Sequence, residues 1–140
     1  MQRNVRLCLN DIDTDSADNY KEISIYNLNK LVNDSYDIID IDILENITLE
    51  EAENTIYQSI SKLRPGGYLN LSFLNAKKIC YDYTAAKIDN QQFLKYVLGK
   101  QSIIDTAYIN KICTSHGCTI VNLIEQNNYR LSLAILKTGT

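Results

Sequence analysis

The chain has 140 residues and a formal net charge of −3, with 45% hydrophobic and 22% charged residues. This length predicts one globular domain spanning residues 1–140, because it suffices for a single hydrophobic core and is short for two. The charge balance, without any cluster of Lys and Arg, argues against a protein that binds nucleic acid through its phosphates.

Three apolar runs in the first third of the chain predict strands, at residues 5–9, 23–26 and 36–44. In the third run, isoleucines alternate with Asp40 and Asp42, so the two carboxylates share one face. Strands of a parallel sheet are normally buried on both faces and avoid charge. The two aspartates therefore predict that one face of this strand is wet, either as a binding cleft or because the sheet is incomplete.

A helix is predicted after the third strand. Thr48 and Glu51 have the spacing of a capping box, and apolar residues then recur every three or four positions up to Leu63. The helix therefore connects the third strand to the apolar alternation at residues 68–74.

The corner between this helix and the next strand contains the only proline of the chain, Pro65, followed by Gly66 and Gly67. Proline cannot continue a helix, and glycine accepts the positive φ values that a sharp reversal requires. Strand, helix, tight turn and strand form a βαβ unit, whose two strands are parallel and whose crossover is right-handed.

The second half of the chain predicts three helices and a hairpin. The helices are expected at residues 76–86, 91–98 and 106–115, and Gly99 and Gly117 stand where the second and third would end. The strands at 118–124 and 129–136 are separated by a link so short that only an antiparallel pair is possible. His116 falls at a helix end, and we favour a structural role for it over a catalytic one.

The cysteines indicate a reduced, cytoplasmic setting. No CxxC pair occurs among the four, Cys8, Cys80, Cys113 and Cys118, and nothing at the N-terminus resembles a signal peptide. Cys113 and Cys118 flank His116, but the spacing is not that of a zinc knuckle, so we expect no metal site. No apolar run approaches the roughly 18 residues that a membrane span requires.

Two segments in the middle of the chain carry a family resemblance: residues 36–47 read YDIIDIDILENI, and residues 63–73 read LRPGGYLNLSF. Together with the helix between them, they resemble class I S-adenosylmethionine-dependent methyltransferases. That family commonly has a strand entered through Tyr-Asp or Phe-Asp, a Leu-Glu-His-like tripeptide after it, and a Leu-Lys-Pro-Gly-Gly turn. The resemblance implies a Rossmann-like α/β methyltransferase fold, with a mostly parallel sheet and a C-terminal antiparallel hairpin.

The resemblance also implies S-adenosylmethionine as a cofactor, held at the carboxyl ends of the parallel strands. Asp11 or Asp13 would accept hydrogen bonds from the ribose, and Asn27 would meet the adenine edge. The methionine portion would be approached by Asp42, Ile43, Leu44 and Glu45. No catalytic residue is identified, and residues 75–104 would select the methyl acceptor.

One element of the family is missing, namely the glycine-rich loop that ends its first strand. Residues 4–11 then correspond to the second strand, so we expect an N-terminally truncated domain with the first strand missing. The missing strand normally lies between the second and the fourth strands. Either these two strands pair directly, or a neighbouring copy covers the gap or the edge and makes the protein a homo-oligomer.

Three interpretations of function remain open. The first is a methyltransferase-like domain whose cofactor binding is weakened or lost. The second is an active small methyltransferase that holds its cofactor without a glycine loop and relies on alignment of the reactants. The third is a non-catalytic binding or assembly module that presents a tyrosine surface, formed by Tyr57, Tyr68, Tyr81, Tyr83, Tyr96 and Tyr108.

Overall fold

The structure, a computed structural model, describes residues 3–10, 13–15 and 19–138, and for 13–15 it describes the backbone only. Within these residues the chain forms seven strands in one sheet. The strands are β1 (Asn4–Cys8), β2 (Asp13–Asp15), β3 (Lys21–Ser24), β4 (Tyr36–Ile41), β5 (Leu63–Leu74), β6 (Cys118–Gln126) and β7 (Arg130–Lys137).

Four α-helices accompany the sheet: α1 (Leu49–Lys62), α2 (Ala76–Thr84), α3 (Asn90–Val97) and α4 (Thr106–Ser115). Two short 3₁₀ helices, Ile25–Lys30 and Leu44–Asn46, follow β3 and β4. No helix in the described part of the chain combines the length and the apolar character needed to cross a bilayer.

The strand order is β2-β3-β1-β4-β5-β7-β6. β1 pairs in parallel with both β3 and β4, and β4 pairs in parallel with β5. The antiparallel pairs are β2 with β3, β5 with β7 and β6 with β7. The α/β class, the parallel βαβ unit and the closing hairpin are therefore confirmed. Direct pairing of β1 with β4 means that no gap is left between them.

The hydrophobic core lies on one side of the sheet. Ile39, Leu69 and Ile135 project from three neighbouring strands and are fully buried. Ile56 of α1 and Ile109 of α4 are equally buried and belong to the same cluster. Burying such a side chain is worth roughly 1.5–3 kcal/mol, so this helix-covered side supplies most of the stabilisation by apolar contact.

Helix α1 begins and ends where the sequence predicts. The Thr48 hydroxyl accepts from the Glu51 amide at 3.2 Å, and the Glu51 carboxylate accepts from the Thr48 amide at 3.1 Å, which completes the capping box. At the other end, the Lys137 ammonium donates to the carbonyls of Ile60 and Leu63, each at 2.8 Å. This lysine therefore ties the last turn of the helix to the end of β7.

Two strands end earlier than the apolar runs predict. β3 stops at Ser24 because its hydroxyl accepts from the Tyr26 amide at 3.3 Å and starts a 3₁₀ helix. β4 stops at Ile41, ahead of the 3₁₀ helix that begins at Leu44. The runs continue because buried residues such as Leu28 and Leu44 belong to the 3₁₀ helices, so hydrophobicity alone does not mark the strand ends.

The Pro-Gly-Gly corner lies inside β5 rather than before it. β5 begins at Leu63, immediately after α1, and its register against β4 shifts between Tyr36 and Ile38. Gly66 has φ = 83°, a value that favours glycine. The corner thus shapes the amino end of β5, at the edge of the sheet opposite to the carboxyl ends of the parallel strands.

Candidate functional site

The carboxyl ends of β3, β1, β4 and β5 meet at one edge of the sheet, because these neighbouring strands are parallel. In open α/β sheets, ligands bind at this edge. The segments that follow β3, β4 and β5 there are the first 3₁₀ helix, residues 42–46, and Asn75 with α2. This edge is the candidate functional site.

The structure describes little of the two residues proposed for the ribose, Asp11 and Asp13. Asp11 lies outside the described residues. The backbone of Asp13 pairs with Ile23 in the edge strand β2, and its side chain is not described. Their proposed contact with a ribose stays a prediction.

Asn27 lies directly after β3, as predicted, and is half-buried in the 3₁₀ helix there. Because β1 lies between β3 and β4, Asn27 and Asp42 follow strands that are two spacings apart, or about 10 Å. The 3₁₀ helix is held beside α1, since the Tyr26 hydroxyl donates to the Glu51 carboxylate at 3.4 Å. Both positions therefore border the candidate site, on opposite sides of β1.

The segment after β4 is largely withdrawn from solvent. Asp42 is exposed and Ile43 is half-buried, whereas Leu44 is fully buried and Glu45 is 3% exposed. The Glu45 carboxylate pairs with the guanidinium of Arg130, the first residue of β7. A buried carboxylate requires such a partner, because an isolated charge in a low-dielectric interior is strongly unfavourable.

Arg130 connects this segment to two strands. Besides Glu45, its guanidinium donates to the Asp42 carbonyl at 3.3 Å and to the Ser72 hydroxyl at 3.4 Å. Among the described residues, the second carboxylate oxygen of Glu45, Oε2, has no hydrogen-bond partner. Arg130 thus fixes the backbone and the side chain of the segment together.

The loop between α3 and α4 lies over the same segment. The Glu45 carbonyl accepts from the amides of Gln101 and Ser102, at 2.8 and 3.4 Å, and the Ser102 hydroxyl donates to the Leu44 carbonyl at 2.8 Å. Ser102 is itself 8% exposed. Three carbonyls of the segment assigned to the methionine portion, those of Asp42, Leu44 and Glu45, therefore already accept hydrogen bonds within the chain.

The sequence at this edge differs from the family pattern in its glycines. No glycine precedes Gly66 in the sequence, so the segments after β1, β3 and β4 carry side chains where a glycine-rich loop would let the backbone approach a ligand. Gly66 and Gly67 lie at the opposite edge, and Gly99 follows α3. The glycines that the structure describes therefore lie in β5 or follow helices.

The face of the sheet opposite the core carries polar side chains at its centre, as the alternation around Asp40 predicts. Arg6, Asp40 and Asn70 lie side by side on β1, β4 and β5 and are half-exposed. Arg6 pairs with Glu22 at 3.2 Å, and Asn70 donates to Asp40 at 3.0 Å. These side chains border a cavity of about 360 Å³. One face of β4 is therefore accessible to solvent, as predicted, and its polar side chains pair with one another.

Burial raises the pKa of Asp40 above its ordinary value, and the Asn70 hydrogen bond and the Arg6 charge oppose this effect. The ionised carboxylate consequently lowers stability at neutral pH, and this penalty disappears as the pH falls below about 4, the ordinary value for aspartate. We expect Asp40→Asn to raise the free energy of unfolding at pH 7, with a gain that shrinks towards pH 3.

Urea denaturation of the parent and the variant between pH 3 and pH 8 measures this difference. Glu50→Gln, which removes an exposed carboxylate on α1, is the matched control and should show no such trend. The raised pKa of Asp40 would be contradicted if Asp40→Asn were less stable than the parent at pH 7, or if its gain in free energy of unfolding grew as the pH fell.

The six tyrosines proposed as a binding surface lie on different elements, and their role as such a surface stays a prediction. Tyr57 and Tyr108 both donate to Glu53, at 3.0 Å each, and Tyr83 stacks on Phe93 with ring centroids 4.4 Å apart. The most exposed of the six is Tyr81, on α2, at 63%. The rings serve separate local contacts.

His116 has the structural role that its position predicts. It follows α4, its Nδ1 lies 3.1 Å from the Ile112 carbonyl, and its ring packs on Tyr57 with centroids 4.3 Å apart. Among the described residues, no group of three or more His, Cys, Asp and Glu side chains could hold a metal ion.

Sequence reasoning missed Arg130 and Ser102. An arginine at the start of an apolar strand and a serine in a loop are ordinary surface residues by pattern. Their partners, Glu45 and Leu44, are 85 and 58 residues away in the chain. The only signal in the sequence is Glu45 itself, a carboxylate directly after a strongly apolar run.

No protein-family model matches the sequence, and no curated protein matches it either. Solved structures do resemble it. One is a putative type 11 methyltransferase from Sulfolobus solfataricus, with a TM-score of 0.55 and 8% identity over 85% of this chain and 60% of that one. A second is an O-methyltransferase family protein from Burkholderia thailandensis, with a TM-score of 0.56 and 13% identity over 87% and 37%.

A third similar structure is a protein from Thermotoga maritima described as a SAM-dependent methyltransferase, possibly a histamine N-methyltransferase. Its TM-score is 0.55, with 14% identity over 84% of this chain and 63% of that one. The chain thus spans between about a third and two thirds of the length of these three structures. The similarity establishes a methyltransferase-like, Rossmann-like fold.

Proposed function

We propose that this chain is a methyltransferase-like domain in which S-adenosylmethionine binding is weakened or lost, and that it binds another molecule instead of transferring methyl groups. The observation that carries this proposal is the closed segment after β4, where Arg130 pairs with buried Glu45 and Ser102 bonds the neighbouring backbone.

A cofactor at this edge would have to displace contacts that the chain makes with itself. In this proposal, a methionine portion lying against residues 42–45 would have to separate the Arg130–Glu45 pair, because Arg130 also holds the Asp42 carbonyl. Breaking a buried ion pair costs about 3–5 kcal/mol. Since 1.4 kcal/mol corresponds to a factor of ten, this cost weakens binding by roughly a hundredfold or more.

The same proposal covers the cellular location and the partners of the domain. All four cysteines are free thiols, which suits a reducing cytoplasm. Direct pairing of β1 with β4 leaves no gap for a second copy to fill, so a homo-oligomer would use an edge strand, β2 or β6. The net charge of −3 gives no basis for a nucleic-acid partner.

Calorimetric titration with S-adenosylmethionine and with its demethylated product tests the proposal. We expect no saturable binding up to about 1 mM of either compound, which corresponds to a binding free energy weaker than about −4 kcal/mol. An active methyltransferase is the alternative. Saturable binding in the low micromolar range by the unmodified chain would favour it and defeat the proposal.

A further inference from the structure

A second cavity lies beyond the carboxyl end of β5, between α2, α3 and the turn that joins β6 to β7. Its volume is about 320 Å³. The side chains that matter for its chemistry are two carboxylates, one ammonium group and two aromatic rings, from Asp82, Glu125, Lys78, Tyr96 and Tyr129. None of these belongs to the Arg130–Glu45 arrangement.

Asp82 is the unusual member of this group, because it is a carboxylate that is only 7% exposed. Its Oδ2 accepts a hydrogen bond from the Tyr129 hydroxyl at 2.6 Å. Its Oδ1 has no hydrogen-bond partner in the part of the chain that the structure describes. The Lys78 ammonium lies 3.3 Å from Oδ1 as an ion pair, and its side chain is 46% exposed.

The hydrogen bond from Tyr129 lowers the pKa of Asp82 below its ordinary value, so the carboxylate is ionised at neutral pH. A buried, ionised oxygen without a hydrogen bond is unfavourable, and an N–H donor placed against it would relieve that cost. Lys78 and Lys87 also lower the pKa of Asp82, and the Lys78 ammonium, 46% exposed, is the group with which a ligand would compete for Oδ1.

Two tyrosines provide an aromatic wall beside Asp82. Tyr96 of α3 and Tyr129 meet edge to face, with ring centroids 4.7 Å apart and planes at 75°. Tyr129 has φ = 58°, a left-handed conformation that is rare for an aromatic residue. Its carbonyl accepts from the Asn75 amide at 2.7 Å, which fixes the turn against the start of α2. The strained backbone thus holds the Tyr129 hydroxyl on Asp82.

We propose that this cavity binds an organic primary ammonium group, which donates to Asp82 Oδ1 and lies against the rings of Tyr96 and Tyr129. A cation is attracted both by a carboxylate and by the face of an aromatic ring. Glu125, exposed at the rim, adds a second negative charge, while Lys87 also acts on Asp82 and the Lys95 ammonium lies 5.8 Å from the Tyr96 ring centroid.

This site is independent of the proposed loss of cofactor binding. Neither S-adenosylmethionine nor the edge of β4 takes part in it. It requires only that the ligand compete with Lys78 for Oδ1.

Titration of the ¹⁵N-labelled chain with n-butylammonium at pH 7, followed by NMR, tests the proposal. The amide signals of Lys78, Asp82, Tyr96 and Tyr129 should shift along a saturable curve. 1-Butanol, which has the same chain length without the charge, should bind at least about tenfold more weakly, because it forfeits both the charge-assisted hydrogen bond and the cation–π contact.

Four variants sharpen the test. Asp82→Asn and Glu125→Gln should weaken butylammonium binding, by about tenfold or more for the first and less for the second, whereas Glu50→Gln, at an exposed position on α1, should not. Lys78→Met should strengthen binding by a few-fold, because it removes the competing cation. If Asp82→Asn fails to fold, the Glu125→Gln and Lys78→Met results decide.

Equal binding of butylammonium and 1-butanol, shifts that spread over the whole spectrum without saturation, or weaker binding by Lys78→Met would each overturn the assignment.

Discussion

Replacing Arg130 with alanine is expected to lower the free energy of unfolding by about 3–5 kcal/mol. The side chain of Glu45 is 4% exposed, and its partner Arg130 is 26% exposed, so the pair lies mostly out of water. Without Arg130 the Glu45 carboxylate is a buried charge without a partner, and its Oε2 already lacks a hydrogen bond among the described residues. A domain of this size is stable by only about 5–15 kcal/mol, so the loss is a large share.

Urea denaturation of a double-mutant cycle measures this effect. Adding Glu45→Gln to Arg130→Ala removes the unpaired charge and should restore at least about 1 kcal/mol. Arg64→Ala is the matched control. Arg64 pairs with Asp37, but the two side chains are 43% and 33% exposed, so its loss should cost less than about 1 kcal/mol. Similar losses for Arg64→Ala and Arg130→Ala would show that Glu45 is not buried as described.

The second large effect is expected for Gly67→Ala, at about 3 kcal/mol. A Cβ at this position would lie 2.9 Å from the carbonyl oxygens of both Tyr36 and Arg64, and 3.1 Å from that of Asp37. These atoms belong to the backbone where β4 and β5 meet, so they cannot rotate away as a side chain could. The methyl group must therefore push the two strands apart.

Gly99→Ala is the control for Gly67→Ala, since Gly99 has φ = 80° but nothing within 4 Å of an added Cβ. It should cost about 1 kcal/mol, from backbone strain alone. Thermal and urea unfolding of both variants gives the comparison. If Gly67→Ala were no less stable than Gly99→Ala, a Cβ at residue 67 would fit between the strands without steric conflict.

The Gly67 result bears on how the family resemblance should be understood. Pro65, Gly66 and Gly67 carry much of the resemblance, and the structure places them at the amino end of β5, away from the carboxyl edge. Their requirement is steric and belongs to the crossover from α1 into the sheet. The motif therefore identifies the fold and says nothing about whether a cofactor is bound.

The helices and the hairpin could be predicted because their signals are local. The capping box of α1 needs only Thr48 and Glu51, three residues apart, and a link as short as residues 127–129 allows only an antiparallel return. Such features depend on neighbours in the sequence, which a single chain displays directly. The short strand β2, in contrast, has no apolar alternation to reveal it.

The closed edge of β4 could not be predicted, because it depends on contacts between residues far apart in the chain. The run that ends at Glu45 shows an acid after a buried strand, which fits a ligand contact as well as an internal ion pair. The choice between them depends on which residue of β7 stands opposite, and the register Leu74↔Arg130 sets this. Register follows from the packed sheet and not from the pattern of a single strand.

Arg130, Glu45 and Ser102 close the carboxyl edge of β4 with contacts inside the chain. A ¹⁵N NMR spectrum recorded with and without about 1 mM S-adenosylmethionine tests this closure most directly, through the amide signals of Asn27, Asp42, Ile43 and Ser102. We expect these signals to keep their positions when the cofactor is added, whereas the Arg130→Ala substitution, without cofactor, should shift those of Asp42, Ile43 and Ser102. Saturable shifts of Asn27, Asp42 and Ile43 on addition of the cofactor to the unmodified chain would contradict it.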